Sequence, residues 1–353
     1  MRVVVAMSGG VDSSVAAALV AQAGHDVIGL SMQLYDQSGG DVRFGSCCTI
    51  DDLHDARRVA ARLGIPHYIV NFEEEFGDHV VSNFVKEYAA GRTPIPCVHC
   101  NGDLKFATLA ARAQGLGAEL VATGHYARVE KDDRTGTYVL KRGLDAAKDQ
   151  SYFLFTLTQA QLAHASFPVG SLDKHAVRNH ARALGLPVAD KPDSHEICFV
   201  PDGDHAAFVE GRGGGGTGGV IRDLQGQAVG THTGVHRFTV GQRKGLGLSS
   251  RVPLYVVGID AGRETVTVGP RAALERRTVS ASGVNWIAGS PPAGEIRVTA
   301  QIRHRHPEAP ATAAAEDGDR VRLEFDLPQH AVAPGQALVM YDGEQVVGGG
   351  WIE

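Results

Sequence analysis

Three cysteines stand in segments that could support chemistry. Cys97 and Cys100 close the run Gly91-Arg92-Thr93-Pro94-Ile95-Pro96-Cys97-Val98-His99-Cys100-Asn101, and Cys198 lies in Asp193-Ser194-His195-Glu196-Ile197-Cys198-Phe199-Val200-Pro201. The first run reads as a proline-stiffened loop leading into a helix. A thiol near a helix N-terminus has its thiolate favoured, so Cys100 can act as a nucleophile. The flanks of Cys198 are polar rather than apolar, which leaves open a reactive thiol or a small buried hydrophobe. Five cysteines in 353 residues make no disulfide scaffold. In a reducing compartment a C-x-x-C pair is catalytic, redox-active or metal-binding.

A second constellation is Ser8-Gly9-Gly10-Val11-Asp12-Ser13-Ser14, set between a β-branched run and a helical pattern. Backbone N–H groups and the helix dipole favour an anion there, and glycines let a phosphate approach the backbone closely. No lysine occupies the G-K-[ST] position, so the loop is not a Walker A motif, and the glycine spacing of a dinucleotide site is missing too. The alternative is a tight turn whose Asp12 or Ser13 only caps the helix. S-G-G-V-D-S resembles the pyrophosphate loop of the ATP pyrophosphatases, which split ATP into AMP and pyrophosphate while adenylating a substrate. That likeness implies adenylation and leaves open which oxygen is activated.

Five further blocks narrow the choice. R-T-P-x-P-x-x-x-C-N (92–101), T-G-H-Y-A-R (123–128), K-D-Q-S-Y-F-L (148–154), D-S-H-E-I-C-F-V-P-D (193–202) and T-V-G-Q-R-K-G-L-G-L (239–248) follow one another along the chain. In that order they resemble the tRNA-specific 2-thiouridylases. The resemblance implies that Ala6, Met7, Ser8, Gly9, Gly10, Val11, Asp12, Ser13, Met32 and Gly124 hold ATP. It makes Cys100 the nucleophile and Cys198 the persulfide carrier, and it turns His125, Lys148, Asp149, Gln150, Arg303, His304 and Gln336 toward tRNA. The family often carries Asn-Pro-Asp where this chain has Ile95-Pro96-Cys97, so no role for an acid transfers to that position. Cys47-Cys48 match a family pair for which no chemistry is assigned.

The mechanism implied starts with ATP and Mg²⁺ converting the uridine oxygen to an adenylate, with Asp12 a possible contact for the cation. A cysteine desulfurase or relay protein loads sulfur on Cys198. Attack by Cys100 frees that sulfur for the adenylated carbon and leaves a disulfide for an external reductant. Because Cys97 replaces the usual carboxylate, a rival route has Cys97, Cys100 and Cys198 holding a [4Fe–4S] cluster with one open iron. Two other classes compete: a small-molecule adenylating ligase, which needs no paired cysteines, and a non-catalytic RNA-binding module, in which the loop would be idle.

The elements around these residues read as an α/β protein. Strands expected at 2–6, 26–32, 66–70 and 119–123 alternate with helices at 51–63, 73–90 and 102–115, which implies a Rossmann-like parallel sheet with ligands at the carboxyl ends of its strands. After Pro201 the texture becomes β-rich and turn-punctuated without helical periodicity, and the glycine-dense stretch 211–219 reads as a mobile loop. The expected domains are a catalytic unit at 1–204, a small β-rich middle domain at 205–275 and a C-terminal β-barrel domain at 276–353. Apolar residues at 43% and charged residues at 21% suit a folded chain. No apolar run near the start is long enough for a membrane span or signal, so a cytoplasmic protein is expected. The net charge of −6 gives no global support to a polyanionic partner. Local basic clusters, Lys141-Arg142, Arg243-Lys244, Arg276-Arg277 and Arg303-His304-Arg305-His306, supply it instead.

Overall fold

The computed structural model describes residues 1–35, 49–193, 197–200 and 203–353; Cys47 and Cys48 lie outside them. The chain lays down β1 (Arg2–Ala6), β2 (Asp26–Gln33), β3 (His67–Asn71) and β4 (Leu120–Ala122). It then leaves for a hairpin, β5 (Ala127–Lys131) and β6 (Tyr138–Arg142), before returning as β7 (Ala165–Ser166). The first sheet has the order β3-β2-β1-β4-β7, and its pairings are all parallel. Strands in such a sheet are covered on both faces and so are apolar throughout. In β1, Val4 enters one core with Leu30, Met32 and Val121, while Val3 and Val5 enter another with Val27 and Ala122. This is the period-2 alternation of a strand, with apolar residues on both sides.

Strand order reverses between β1 and β4, because β2 and β3 lie on one side of β1 and β4 and β7 on the other. The crevice at such a reversal is where open α/β sheets bind ligands. The loop leading into α1 (Val11–Gln22) follows β1, and the Thr123–Gly124–His125 stretch follows β4. A second helix, α2 (Ile50–Leu63), starts with a capping box in which Thr49 and Asp52 bond each other's backbone, and it ends at Gly64 in the left-handed region.

Two expectations about helices change. The helix expected from 102 begins at Pro96 and runs as Pro96–His99, a π-helical stretch Cys100–Thr108, and Leu109–Gly115. Proline suits a first turn, where an amide would have no intrahelical acceptor, so Pro96 starts the helix instead of delaying it. After Pro201, a short helix His205–Glu210 does form, capped by the Asp204 carboxylate on Ala207 N at 3.0 Å. It is too brief to show a period.

The middle sheet runs β10 (Tyr255–Asp260), β11 (Thr265–Gly269), β8 (Gly219–Arg222), β9 (Ala228–His232). The glycine-rich stretch before it is tied down: Thr217 N donates to Glu264 Oε1 at 3.2 Å, and Gly214 lies against Val85 and Val209. Beyond it, β12 (Glu275–Trp286), β13 (Ile296–Gln301), β14 (Ala309–Glu316), β15 (Arg320–His330), β16 (Ala337–Asp342) and β17 (Gln345–Ile352) form an antiparallel barrel. It closes where β12 pairs with both β15 and β17. The hairpin β5–β6 joins the same sheet through Gln345 opposite Lys141, so a strand pair from the first part of the chain extends the C-terminal barrel. Among the described residues no helix is long and apolar enough to cross a membrane.

Candidate active site

The loop after β1 is built around amides. Gly10 precedes α1 with extended backbone and no side-chain cap, so the first N–H groups of the helix have no side-chain acceptor there. Their dipole and hydrogens suit a phosphate. The serines brace the loop: Ser8 N donates to Ser13 Oγ at 3.2 Å, and Ser14 Oγ donates to Gly10 O at 2.7 Å. Gly9 has φ +73°, and a Cβ there would sit 2.1 Å from Asp52 O, so only glycine fits. Gly124 closes the crevice from the β4 side, where a Cβ would lie 2.4 Å from Ser13 N. Met32 is buried near the carboxyl end of β2, and Ala6 ends β1 against the same core. The expected ATP positions are therefore gathered at the switch point.

Two lysines not singled out in the sequence enter this loop. Lys191 Nζ donates to Gly9 O at 3.1 Å and to Asp52 and Asp55 at 2.6 Å each. Burial alone would lower its pKa, but the two carboxylates outweigh burial and raise it. Lys174 opens the helix Lys174–Ala183, which packs on α1, and its Nζ lies 2.8 Å from both oxygens of Asp12 and 2.7 Å from Asp193. Tyr126 OH also donates to Asp12, at 2.8 Å; burial first, then the Asp12 charge, pushes this phenol's pKa up. Asp12 is thus bound by a cation and a hydroxyl before any metal is considered. Sequence spacing carried no signal for these lysines, since their partners are distant along the chain.

Cys100 begins the π-helical stretch, one turn inside the helix that opens at Pro96, and Cys97 lies in the first turn. Such wide turns are common at functional sites. Cys97 is exposed, whereas Cys100 and Cys198 are half-buried at the margin of one core, the core that also takes Met32 and borders Ala6. Cys198 sits in a turn closed by Val200 N donating to Ile197 O at 3.1 Å. The turn is anchored by buried Phe199, whose ring meets Phe84 at 5.1 Å and Phe76 at 5.4 Å. Among the described residues no group of three or more His, Cys, Asp or Glu is arranged to hold a metal ion.

The residues expected to face tRNA divide into two kinds. His125 is buried, its Nδ1 2.7 Å from Thr123 Oγ1 and its ring near Phe106 of the Cys100 helix. Asp149 spends its carboxylate on the amides of Gly143 and Ser151, on Ser151 Oγ and on Arg142. Gln150 Oε1 accepts from Tyr126 N at 3.0 Å, and Gln336 Nε2 donates to Thr93 O at 2.9 Å. These four shape turns. Lys148, Arg303 and His304 are at least partly open to solvent, with Lys148 on Asp193 at 2.7 Å and the His304 ring 4.3 Å from Phe153. The 92–96 loop meets the barrel again through Thr93 N on Pro334 O, and His99 stacks on Trp351 at 5.0 Å.

Comparison with known proteins agrees with this layout. Residues 1–202 match a family model described as the tRNA methyl transferase HUP domain, 207–270 its PRC-barrel domain, and 276–352 an aminomethyltransferase β-barrel domain. The chain is 53% identical over 357 residues to a tRNA-specific 2-thiouridylase MnmA of Geotalea uraniireducens, covering 100% of this chain and 95% of that protein. It is 51% identical to the protein of that name from Geobacter metallireducens, covering 100% and 96%, and 51% identical to that of Solibacter usitatus, covering 99% of each.

Proposed function

The chain belongs to the tRNA-specific 2-thiouridylase family, and from that premise we propose that it replaces O2 of the wobble uridine in tRNA with sulfur by way of an adenylated base. What supports this reading is that Cys100 and Cys198, remote in sequence, both pack against the margin of the same core, which also takes Met32 and borders Ala6. A small-molecule ligase has no use for that pair.

The loop from Ala6 to Ser13, with Met32 and Gly124, holds ATP, its phosphates on the amides at the start of α1. Asp12 would be the residue to hold a magnesium ion, which would offset the charge of the phosphates, and it would do so only by loosening its bonds to Lys174 and Tyr126. Uridine O2 attacks the α-phosphorus, the bond to the β-phosphate breaks, and pyrophosphate leaves. A desulfurase or relay protein loads Cys198 as a persulfide. The Cys100 thiolate attacks the inner sulfur of that persulfide, forming a Cys100–Cys198 disulfide and releasing hydrosulfide, which adds at C2 as the C–O bond breaks and AMP departs. An external dithiol reopens the disulfide. The base lies in an anticodon loop, so turning it into a pocket breaks no duplex. Lys148, Arg303 and His304 meet the tRNA backbone, while His125, Asp149, Gln150 and Gln336 hold the turns that present them. The enzyme works in the cytoplasm, where its substrate is.

Exchange of labelled pyrophosphate into ATP tests the first half. It should depend on tRNA and persist in Cys100→Ser and Cys198→Ser, which lose thiolation. Cys97→Ser should keep thiolation when persulfide is supplied. Exchange without tRNA would indicate a ligase, and loss of thiolation in Cys97→Ser alone would favour a cluster route.

A further inference from the structure

The helix that carries Cys100 is braced in a widened form. Through Cys100–Thr108 it is π-helical, with Leu109 N donating to Leu104 O five residues back, and α-helical turns resume at Leu109–Gly115. Runs of such wide turns are rare, so this one needs a cause. Gln161, in the short helix Gln159–Ala163, supplies one. Its Nε2 donates to Gly102 O at 3.3 Å and to Phe106 O at 3.1 Å, clamping carbonyls of two successive turns from outside the helix. Its Oε1 accepts from Thr158 N at 2.9 Å and from Thr158 Oγ1 at 3.2 Å. Both hydrogens and the oxygen of the amide are thus spent, which fixes its orientation. A second brace is internal: Thr108 Oγ1 donates to Asp103 O at 3.0 Å, again five residues back. Asn101, buried beside Cys100 in the chain, adds a bond from Nδ2 to Phe153 O at 3.3 Å.

The widening decides which way Cys100 faces. Leu104 and Leu109, five residues apart, are both fully buried in the core against which Cys100 packs. On a regular helix five residues span about 500°, which sets the first and last on different faces. Closing a wide turn to α-helical bonding therefore rotates everything before it, Cys97 and Cys100 included, by about 100° relative to Leu109 and Ala113. We infer that Gln161 is a positioning residue for Cys100: by holding the wide turns open, it keeps the thiol on the margin of the core where Cys198 also packs. The inference rests on the reading of Cys100 as the nucleophile. Attack of a thiolate on the inner sulfur of a persulfide is directional, and misplacing a reacting group by about 1 Å costs on the order of 100-fold in rate.

The test uses the full chain carrying a persulfide on Cys198, mixed with ATP, magnesium and unmodified tRNA in a single turnover. Peptide mass spectrometry follows formation of the Cys100–Cys198 disulfide, and pyrophosphate exchange into ATP is measured separately. Gln161→Glu keeps the acceptors for Thr158 and removes both donors to the helix. Disulfide formation should then slow by about tenfold or more, while exchange stays near the wild-type rate. Gln161→Lys returns a donor to the carbonyls and should recover part of the lost rate. A role confined to stability would lower exchange and disulfide formation together and would not distinguish glutamate from lysine. Should Gln161→Glu fail to fold, Thr108→Val removes the other brace and should slow the same step. Disulfide formation at the wild-type rate in the folded variant, equal loss of exchange, or no recovery in Gln161→Lys would overturn the inference. A wild type that thiolates tRNA without forming the disulfide would instead sink the reading of Cys100 as nucleophile, and the positioning with it.

Discussion

His125 shows how a side chain picked out by its motif can sit inside the fold. Its motif marked it for a polar partner, yet it is buried, bonded to Thr123 and set between the rings of Phe106 and Phe167. Burial, helped by the charge of Lys105, holds its pKa well below the ordinary value. The group is therefore neutral in the folded chain while the unfolded chain takes up a proton below about pH 6.5. Where the unfolded state binds more protons, stability falls as pH falls, so the melting temperature should drop on acidification from neutral pH. In His125→Gln that drop should be shallower, without vanishing, because burial also lowers the pKa of His67 and His205. Melting curves across that range would show it, and an unchanged slope would mean that His125 is not held neutral. The cysteines and the serine–glycine loop were readable because their chemistry depends on local spacing. Lys174 and Lys191 were not: each stands in an ordinary polar stretch, and only the fold brings it to Asp12 or Gly9.

At the scale of elements, the site depends on how closely the loop after β4 approaches the start of α1. A Cβ on Gly124 would lie 2.4 Å from Ser13 N, which is backbone and cannot swing aside; on Gly10 its nearest neighbour would be Ser8 Oγ at 3.6 Å, an ordinary contact. Gly124→Ala should thus cost about 1–3 kcal/mol, as overpacking does, and weaken binding of an ATP analogue. Gly10→Ala should leave the denaturation midpoint nearly unchanged. Urea titration of both compares them directly, and equal midpoints would contradict the close approach. The alternation of strands and helices through 123 follows from apolar period and turn residues, and the structure has those elements within a few residues. Two features escaped that logic. The prolines before Cys100 read as a stiff loop, whereas Pro96 begins the helix, and the π-helical widening at 100–108 leaves no mark on an apolar period. The helix His205–Glu210 is shorter than two turns and so carries no periodic signal.

In the whole molecule the parts are stitched together at the site. The hairpin β5–β6 leaves the first sheet to pair with β17; Tyr152 OH reaches Ala337 O at 2.9 Å; and Asn285 Nδ2 bonds the carbonyls of Phe155 and Leu157. Sequence alone divided the chain where its texture changes, but pairing between distant strands is set by register and burial and has no local signature. The barrel contributes to placing the cysteine helix, through Trp351 on His99 and Pro334 on Thr93, besides presenting Arg303 and His304. A net charge of −6 is compatible with a polyanionic substrate, because phosphate binding depends on local clusters of cations such as Arg303 to His306 and not on the overall charge. The central claim is that one molecule joins ATP cleavage at the loop to sulfur delivery between two cysteines. It is tested most directly by a single turnover of protein carrying a persulfide on Cys198, mixed with ATP, magnesium and unmodified tRNA and with no other sulfur source, followed by mass spectrometry of nucleosides and peptides. The account predicts 2-thiouridine, AMP and a Cys100–Cys198 disulfide in equal amounts; thiolated tRNA without AMP, or without that disulfide, would contradict it.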